Sequence, residues 1–482
     1  MPLPVDAANP GRQSAGIPAA SLAACGLLAV ALLLRLHDLA AQSLWWDEVS
    51  SWQQARLPLP QLLAATAADN YPPLHNLLLH LTMALLGEGE FALRLPSALL
   101  GGLSVLALYW TGSLLVGRGA ALLAALLLCV SGFHLWYSQE ARMYALLGLA
   151  AIAYAGTALQ SARCGGWRWG LGSVVAGACL LYSHPFGALD WGTLTLSVGI
   201  WRWSALRSPR SALQFLLLQA LALLLYAPWA LILVGRARAI ATEGFWLPPV
   251  TPQNLVGYFE TLLDGPGVLA ALLLAIALAA LPPMLPQRAR LLARLDGAEP
   301  PHVSDRAALG LLLAWGLLPA GLGVAISLLS QPVLYPRYLI GSLPALLLLL
   351  GFGFSRLPRN ALGALALLGL GAAVVIGFFE FSPSPRDDFR DIAAALATEW
   401  RPGDCVAMNP QSQIAMRYYR PAGFSCVAIS ATPATAHFFA APQRVFVILT
   451  EADQAAMAAA GQREPGTGRW FGDTRLLLLS PQ

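Results

Sequence analysis

The stretch Leu44-Trp45-Trp46-Asp47-Glu48 decides how this chain is read. It follows an apolar run over residues 17–36 that is long enough to cross a bilayer as a helix. Indole rings favour the membrane–water interface, so the two carboxylates are expected just beyond the hydrocarbon on the far side. Two readings fit them. An Asp and a Glu suit the first turn of an interfacial helix. They also suit general base catalysis, in which a carboxylate draws the proton from a hydroxyl nucleophile. A capped and therefore rigid carboxylate serves both. Asp47 is taken as the base, with Glu48 beside it, and the remaining chain is read as a membrane-embedded site built around them.

Composition supports the membrane setting. The chain has 482 residues, of which 57% are hydrophobic and 11% charged, with a mean hydropathy of +0.61. Soluble domains carry about 25% charged residues. All the basic side chains are arginine, and the net charge of +4 gives no reason to invoke nucleic acid. The six cysteines (25, 129, 164, 179, 405 and 426) show no CxxC spacing, which argues against a thiolate metal site. Arg12 precedes the first apolar run and no small-residue cleavage site clearly follows it, so an uncleaved anchor is expected.

Apolar length and the positive-inside rule predict about eleven crossings, near 17–36, 93–116, 119–136, 143–160, 170–184, 187–201, 211–235, 267–286, 307–329, 338–354 and 361–379. Residues 71–87 open with Pro72-Pro73 and are short. If they do not cross, the arginine-dense loops (Arg118; Arg163 and Arg168; Arg202, Arg207 and Arg210; Arg288, Arg290 and Arg294; Arg356 and Arg359) all fall on one side. The segment is therefore expected to be juxtamembrane or re-entrant, and Trp52 to Ala68 an interfacial helix. The opposite, outer side then gathers the polar and aromatic residues.

After Ser382-Pro383-Ser384-Pro385 the composition changes. Residues 381–482 are expected to form a small α/β domain outside the membrane, with a helix over 388–400 and a largely parallel sheet. Its short apolar runs start at Cys405, Cys426, Val445 and Leu476. Cys405 and Cys426 open successive strands, so either a disulfide or two buried thiols would fit.

Several outer residues carry chemical potential, each beside a plainer reading. Tyr71-Pro72-Pro73-Leu74-His75 is a rigid entry into a half-helix, or it sets Asn70, Tyr71 and His75 against Asp47. Glu140 and Arg142 pair locally, Arg94 anchors a span end, or the arginines, with Arg337 in Tyr335-Pro336-Arg337-Tyr338, hold a phosphate by charge-assisted hydrogen bonds. Tyr338 is counted with those arginines at the donor phosphate, and Trp46, Tyr137 and Tyr144 join Asn70, Tyr71, His75 and Glu140 in the expected substrate pocket. His184 hydrogen-bonds locally, or joins a carboxylate in binding a divalent metal; no other cofactor is indicated.

Asp-Glu after the first span, Tyr71-Pro72-Pro73-Leu74, Phe91 to Gly101, Tyr137 to Tyr144 and Pro336-Arg337-Tyr338 together resemble the family-39 glycosyltransferases. These are GT-C fold enzymes that include protein O-mannosyltransferases and the aminoarabinose transferase of lipid A. The resemblance covers nearly all of residues 1–380, the membrane part, and is strongest over residues 44–146. It implies an integral protein of a bacterial inner (cytoplasmic) membrane that transfers sugar, with inversion, from a polyprenyl-phosphate donor. The acceptor would be a lipid, glycan or protein, on the periplasmic or extracellular side. It implies that Asp47 is the essential first-loop aspartate, Glu48 its partner and Arg94 a phosphate ligand, and loosely aligns His184 with a metal-contacting histidine. The aminoarabinose branch has an acidic residue and a lysine where this chain has Asn70 and Tyr71, which weakens the metal reading. Rival readings are a lipid-linked glycan ligase or polymerase, and a lipid or solute transporter. The first would not need the Asp-Glu pair, and the second would need charged or broken mid-membrane helices. The loop from Trp246 to Asp264 is the expected selector of the acceptor.

Overall fold

The computed structural model describes residues 19–164, 166–206, 209–243, 247–281, 303–358, 360–380, 388–419, 426–429, 444–451, 453–455 and 468–479. Arg12, Arg207, Trp246, Arg288, Arg290, Arg294, Arg359 and the linker Ser382–Pro385 lie outside the described residues.

Apolar sequence here folds as helix because a backbone in lipid must satisfy its own hydrogen bonds. The helices are α1 (Ala19–Leu36), α2 (Trp46–Ala55), α3 (Leu59–Ala68), α4 (Leu74–Leu86), α5 (Glu90–Leu115), α6 (Arg118–Val130), α7 (Gly132–Ser138), α8 (Tyr144–Cys164), α9 (Trp167–Leu181) and α10 (Pro185–Leu206). They continue as α11 (Pro209–Glu243), α12 (Pro252–Leu262), α13 (Pro266–Ala280), α14 (Asp305–Leu329), a 3-10 turn (Pro336–Gly341), α15 (Leu343–Phe354) and α16 (Ala361–Glu380). Among the described residues, five helices are long and apolar enough to cross a membrane, and up to seven if each of two bent pairs is one span. The expected eleven are thus not reproduced by length and composition. Helices do occupy every expected span, but several are short or broken.

One break has a clear electrostatic cause. The α6–α7 axis bends by 60°, which strands carbonyls at the end of α6 and amides at the start of α7. Arg35, fully buried, donates to the carbonyls of Leu128 (3.1 Å) and Cys129 (3.3 Å). Asp264 accepts from the amides of Gly132 (3.0 Å) and Phe133 (2.6 Å). A cation thus meets the negative helix end and an anion the positive one.

The expected span at 338–354 is also composite. Twelve-residue α15 would cover only ~18 Å as a helix; the 3-10 turn before it adds ~12 Å. Every residue of α15 is buried, because Gly351 and Gly353 let its backbone approach α6 and α13. A Cβ at either would lie 2.2 Å from the carbonyl oxygen of Ala120 or Ala275 respectively.

Residues 74–86 form α4, thirteen residues, ~20 Å as a helix and shorter than the hydrocarbon core, and it packs against α2 and α5. The single interfacial helix expected over Trp52 to Ala68 is instead two, because Pro58 starts α3 afresh.

Beyond the bundle, α17 (Phe389–Glu399), β1 (Cys405–Met408), α18 (Pro410–Tyr419), β2 (Cys426–Ile429), β3 (Val445–Leu449), β4 (Gly468–Phe471) and β5 (Thr474–Leu479) build a five-stranded sheet of order β2-β1-β3-β5-β4. Strands β2, β1 and β3 are parallel, but β5 runs antiparallel to β3, and β4 to β5. The sheet is therefore mixed, where a largely parallel one is expected from the sequence. The difference comes from the tight Gly472-Asp473 turn between β4 and β5, which only an antiparallel pair can use. Cys405 is disulfide-bonded and stands opposite Cys426 in the strand register. Cys25, Cys129, Cys164 and Cys179 are free.

Candidate active site

Asp47 and Glu48 occupy the first turn of α2, side by side in sequence but on different errands. Glu48 is wholly buried. Its carboxylate accepts from Arg94 Nε (2.8 Å) and Nη2 (2.7 Å), from the Ala141 amide (2.9 Å) and from the Trp45 amide (3.3 Å). Arg94 in turn donates to the carbonyls of Leu39, Gln42 and Ser43 at 2.8–3.1 Å. All five guanidinium donors are thereby taken by protein. The pair is a bidentate clamp that fixes the loop before α2 to α5 and to the loop before α8.

Asp47 faces the other way. Its Oδ2 lies 3.4 Å from Arg337 Nη1, with both side chains more than nine-tenths buried. Arg337 rises from the 3-10 turn into a ring of aromatics: Trp45, Tyr144, Tyr335 and Tyr338 lie 5.2–5.8 Å from its Cζ, within cation–π range. Arg142 supports the same wall. It donates to Ser51 Oγ (3.0 Å) and to the Asp47 carbonyl (3.3 Å), and it lies 4.9 Å from the Tyr71 ring centroid. Burial opposes the charge on Arg142, but the Asp47 carboxylate holds it above the ordinary guanidinium range.

Tyr71 and Tyr338 touch through their hydroxyls at 3.3 Å. Burial, with Tyr144 close by, pushes the Tyr71 phenol up, so it stays protonated. His184 packs at a tilt against both rings, 5.3 Å from Tyr71 and 4.7 Å from Tyr338. Its Nδ1 accepts from the Phe186 amide at 3.0 Å, which leaves Nε2 as the protonated nitrogen; Nε2 is buried without a hydrogen-bond partner. Burial first, then Arg142 and Arg337, holds His184 well below the usual histidine range. A cation beside two guanidinium groups is disfavoured for the same reason. Among the described residues no three His, Cys, Asp or Glu side chains are grouped to hold a metal, so the residues around His184 do not fit the divalent site expected for it.

Tyr71, His184 and Tyr338 form the shared wall between Arg337 and an apolar cavity of about 270 Å³. Its far side is built by Leu233, Arg236 and Ala237 of α11 and Ile326 of α14. Arg236 donates to Asn70 Oδ1 at 3.3 Å, at the cavity rim.

The structure thus gathers Asp47, Tyr71, Arg142, Tyr144, His184, Arg337 and Tyr338 in one cluster, with Asn70 at its edge. Tyr137 joins through Tyr144, ring to ring at 5.0 Å. His75 and Glu140 are buried; His75 lies in the first turn of α4 and Glu140 two residues before Arg142. Two expectations change. Arg94 is spent on Glu48 and backbone, and Trp46 packs against the core of the sheet unit, so Trp45 is the indole that faces Arg337. Trp45, Ser51 and Arg236 were not singled out from the sequence. Trp45 is the N-cap residue of α2, and two positions from Asp47 helical phase does not place the two side chains together.

Comparisons with known proteins bear on the family and the fold. Residues 70–232 match the family model described as dolichyl-phosphate-mannose-protein mannosyltransferase. No curated protein matches the chain. Among solved structures, ArnT from Cupriavidus metallidurans bound to undecaprenyl phosphate is similar, with TM-score 0.56 and 16% identity, covering 96% of this chain and 100% of that one. Archaeal oligosaccharyltransferase AglB from Archaeoglobus fulgidus, in complex with an inhibitory peptide and a dolichol-phosphate, aligns with TM-score 0.51 and 12% identity over 92% of this chain and 71% of its own. Similarity to that family therefore extends over residues 70–232, and along the chain the fold is that of these membrane proteins, the GT-C fold.

Proposed function

We propose that the chain transfers a sugar from a polyprenyl-phosphate donor to a hydroxyl acceptor of the cell envelope, with inversion and with Asp47 as general base. The observation that carries this reading is the facing of Asp47 and Arg337 at 3.4 Å, one aromatic layer from an apolar cavity. The cavity suits the isoprenoid tail. Arg337, with Arg142 behind it, suits the phosphate, for which a guanidinium is the better-matched cation. The ArnT structure of similar fold holds undecaprenyl phosphate.

Arg337 is partnered by Asp47. Arrival of the donor phosphate gives Arg337 a second anion to pair with and loosens its hold on the Asp47 carboxylate. Asp47 then takes the proton of the acceptor hydroxyl as its oxygen bonds to the anomeric carbon. The bond from that carbon to the phosphate oxygen breaks on the opposite face, and the polyprenyl phosphate leaves with its extra negative charge beside Arg337. Such preorganised charge is worth far more in a water-poor site than in bulk solvent. Glu48 and Arg94 take no part in proton or phosphate transfer; they hold α2 in place. Because the residues around His184 do not fit a metal, no step is routed through one.

The Asp47 end of the bundle and residues 381–482, taken as a separate domain, are assigned to the periplasmic or extracellular side. The disulfide at Cys405 supports that placement, since such bonds persist in oxidising compartments. The test is mass spectrometry of envelope glycans and lipids from cells with and without the chain. An unchanged glycan inventory would overturn the reading.

A further inference from the structure

The loop between α1 and α2 is gripped from two sides. Below it, Arg94 takes the carbonyls of Leu39, Gln42 and Ser43. Above it, Arg390 of α17 takes the carbonyls of Ala40 (2.9 Å), Gln42 (3.3 Å) and Ala41 (3.4 Å). Arg390 also pairs with Glu90, the first residue of α5. Tyr419, the last residue of α18, accepts from the Leu44 amide at 2.6 Å while donating to Glu90. Ser43 Oγ closes the set by donating to Asp388 (2.7 Å) and accepting from the Arg390 amide (3.2 Å). Burial and the Glu90 contact push the Tyr419 phenol up, so it keeps the proton it donates.

These contacts end three residues before Asp47. Below the sheet, Trp52 of α2 meets the Tyr418 ring edge-on at 5.0 Å, and Trp46 packs into the sheet unit's core. The unit therefore does more than hang from its linker. Its two helices cover the segment that aims the carboxylate.

We infer that Arg390 and Tyr419 are positioning residues, through which the C-terminal sheet unit sets the α1–α2 loop and hence the direction of Asp47. The inference rests on Asp47 being the base. Two arginines that share the carbonyls of residues 39–43 in the nine-residue loop 37–45 leave it little freedom, and a base displaced by 1 Å loses much of its effect. Arg390 bridges three carbonyls and a carboxylate with its planar fork. Lysine at 390 can reach Glu90 but cannot span the carbonyls as well.

The test uses the full chain with Arg390→Ala, Arg390→Lys and Tyr419→Phe; the last keeps the ring and removes only the two hydroxyl bonds. Backbone amide exchange at residues 39–48 is read first. Transfer kinetics with an undecaprenyl-phosphate-linked hexose as probe donor are read second. The expected result is exchange at Leu44 at least about tenfold faster in Tyr419→Phe, with kcat down about tenfold and donor KM within about twofold. Arg390→Lys should fall between wild type and Arg390→Ala in both readouts. Unchanged exchange in all three variants overturns the inference, and so does faster exchange with unchanged kcat. If the wild-type chain moves no sugar from the probe, it is the proposed function that fails for that donor, while exchange that stays at the wild-type rate would still overturn the docking role.

Discussion

Arg337 reaches Asp47 across 3.4 Å in a pocket where neither side chain is more than 8% exposed, whereas its sequence neighbour Glu48 turns inward to Arg94 at 2.7 Å. Two adjacent carboxylates are thereby given different counter-ions and different work. A buried charge needs a partner, and the only way to bury both on one helical turn is to partner them on opposite sides.

If Asp47 is the base, Asp47→Asn should abolish transfer while the protein still inserts and folds. The substitution keeps the side-chain shape and the first turn of α2, and removes the proton acceptor. General base catalysis contributes roughly 100- to 10,000-fold, so activity should fall by at least about 100-fold. Turnover assayed with purified variant in detergent or vesicles checks it; activity within tenfold of wild type would end the assignment.

The Glu48–Arg94 clamp makes the opposite prediction. Arg94→Ala leaves a buried carboxylate unpaired and three carbonyls without donors, a defect worth about 3–5 kcal/mol. Its signature should be a lower melting temperature and reduced yield. Whatever protein remains folded should bind undecaprenyl phosphate with near wild-type affinity, because no Arg94 donor is available to the lipid. A selective loss of phosphate affinity in a stable Arg94→Ala protein would restore the phosphate role expected from the family resemblance.

How far the residues announced this arrangement varies with distance along the chain. Long apolar runs declare helices directly, since length and hydropathy are local. So do the capped turn at Asp47 and the short, proline-led α4. The partner of Glu48 is not local: Arg94 is 46 positions away, and sequence alone offers it equally to a phosphate. The α6–α7 bend is not legible in the sequence because its cause, Arg35 and Asp264, is remote from it in the chain. The β4–β5 hairpin was missed although Phe471-Gly472-Asp473-Thr474 is a turn signal. Its flanking residues are polar and aromatic, and an edge strand need not be apolar on either face. Trp46 and Trp45 are indistinguishable by type; only the docking of the sheet unit onto α2 decides which faces the site.

Arg337 should separate from Arg94 in a binding measurement. Arg337→Ala removes a charge-assisted contact to phosphate, worth about 1.5–3 kcal/mol. Undecaprenyl phosphate affinity should drop roughly ten- to hundredfold, and Arg337→Lys should recover only part of it, because an ammonium cannot engage two phosphate oxygens in a fork. Titration of the lipid against purified variants measures it. Equal affinity in wild type and Arg337→Ala would remove Arg337 from the donor site.

His184 gives a dependence on pH whose sign follows from its surroundings. Burial, Arg142 and Arg337 all disfavour its protonated form in the folded chain, so the unfolded chain binds the proton more readily. Stability is greater where both states are neutral, above the ordinary histidine pKa near 6.5, and declines as pH falls toward the depressed folded value. Gln at 184 removes the titration and keeps an amide that can donate where Nε2–H stands. The melting temperature of His184→Gln should therefore drop less than that of wild type between pH 7.5 and pH 5, although His75 and His134, also buried, leave part of the acid sensitivity in place. Parallel thermal melts at the two pH values decide it, and identical drops in both proteins would show that His184 is not held neutral by its two guanidinium neighbours.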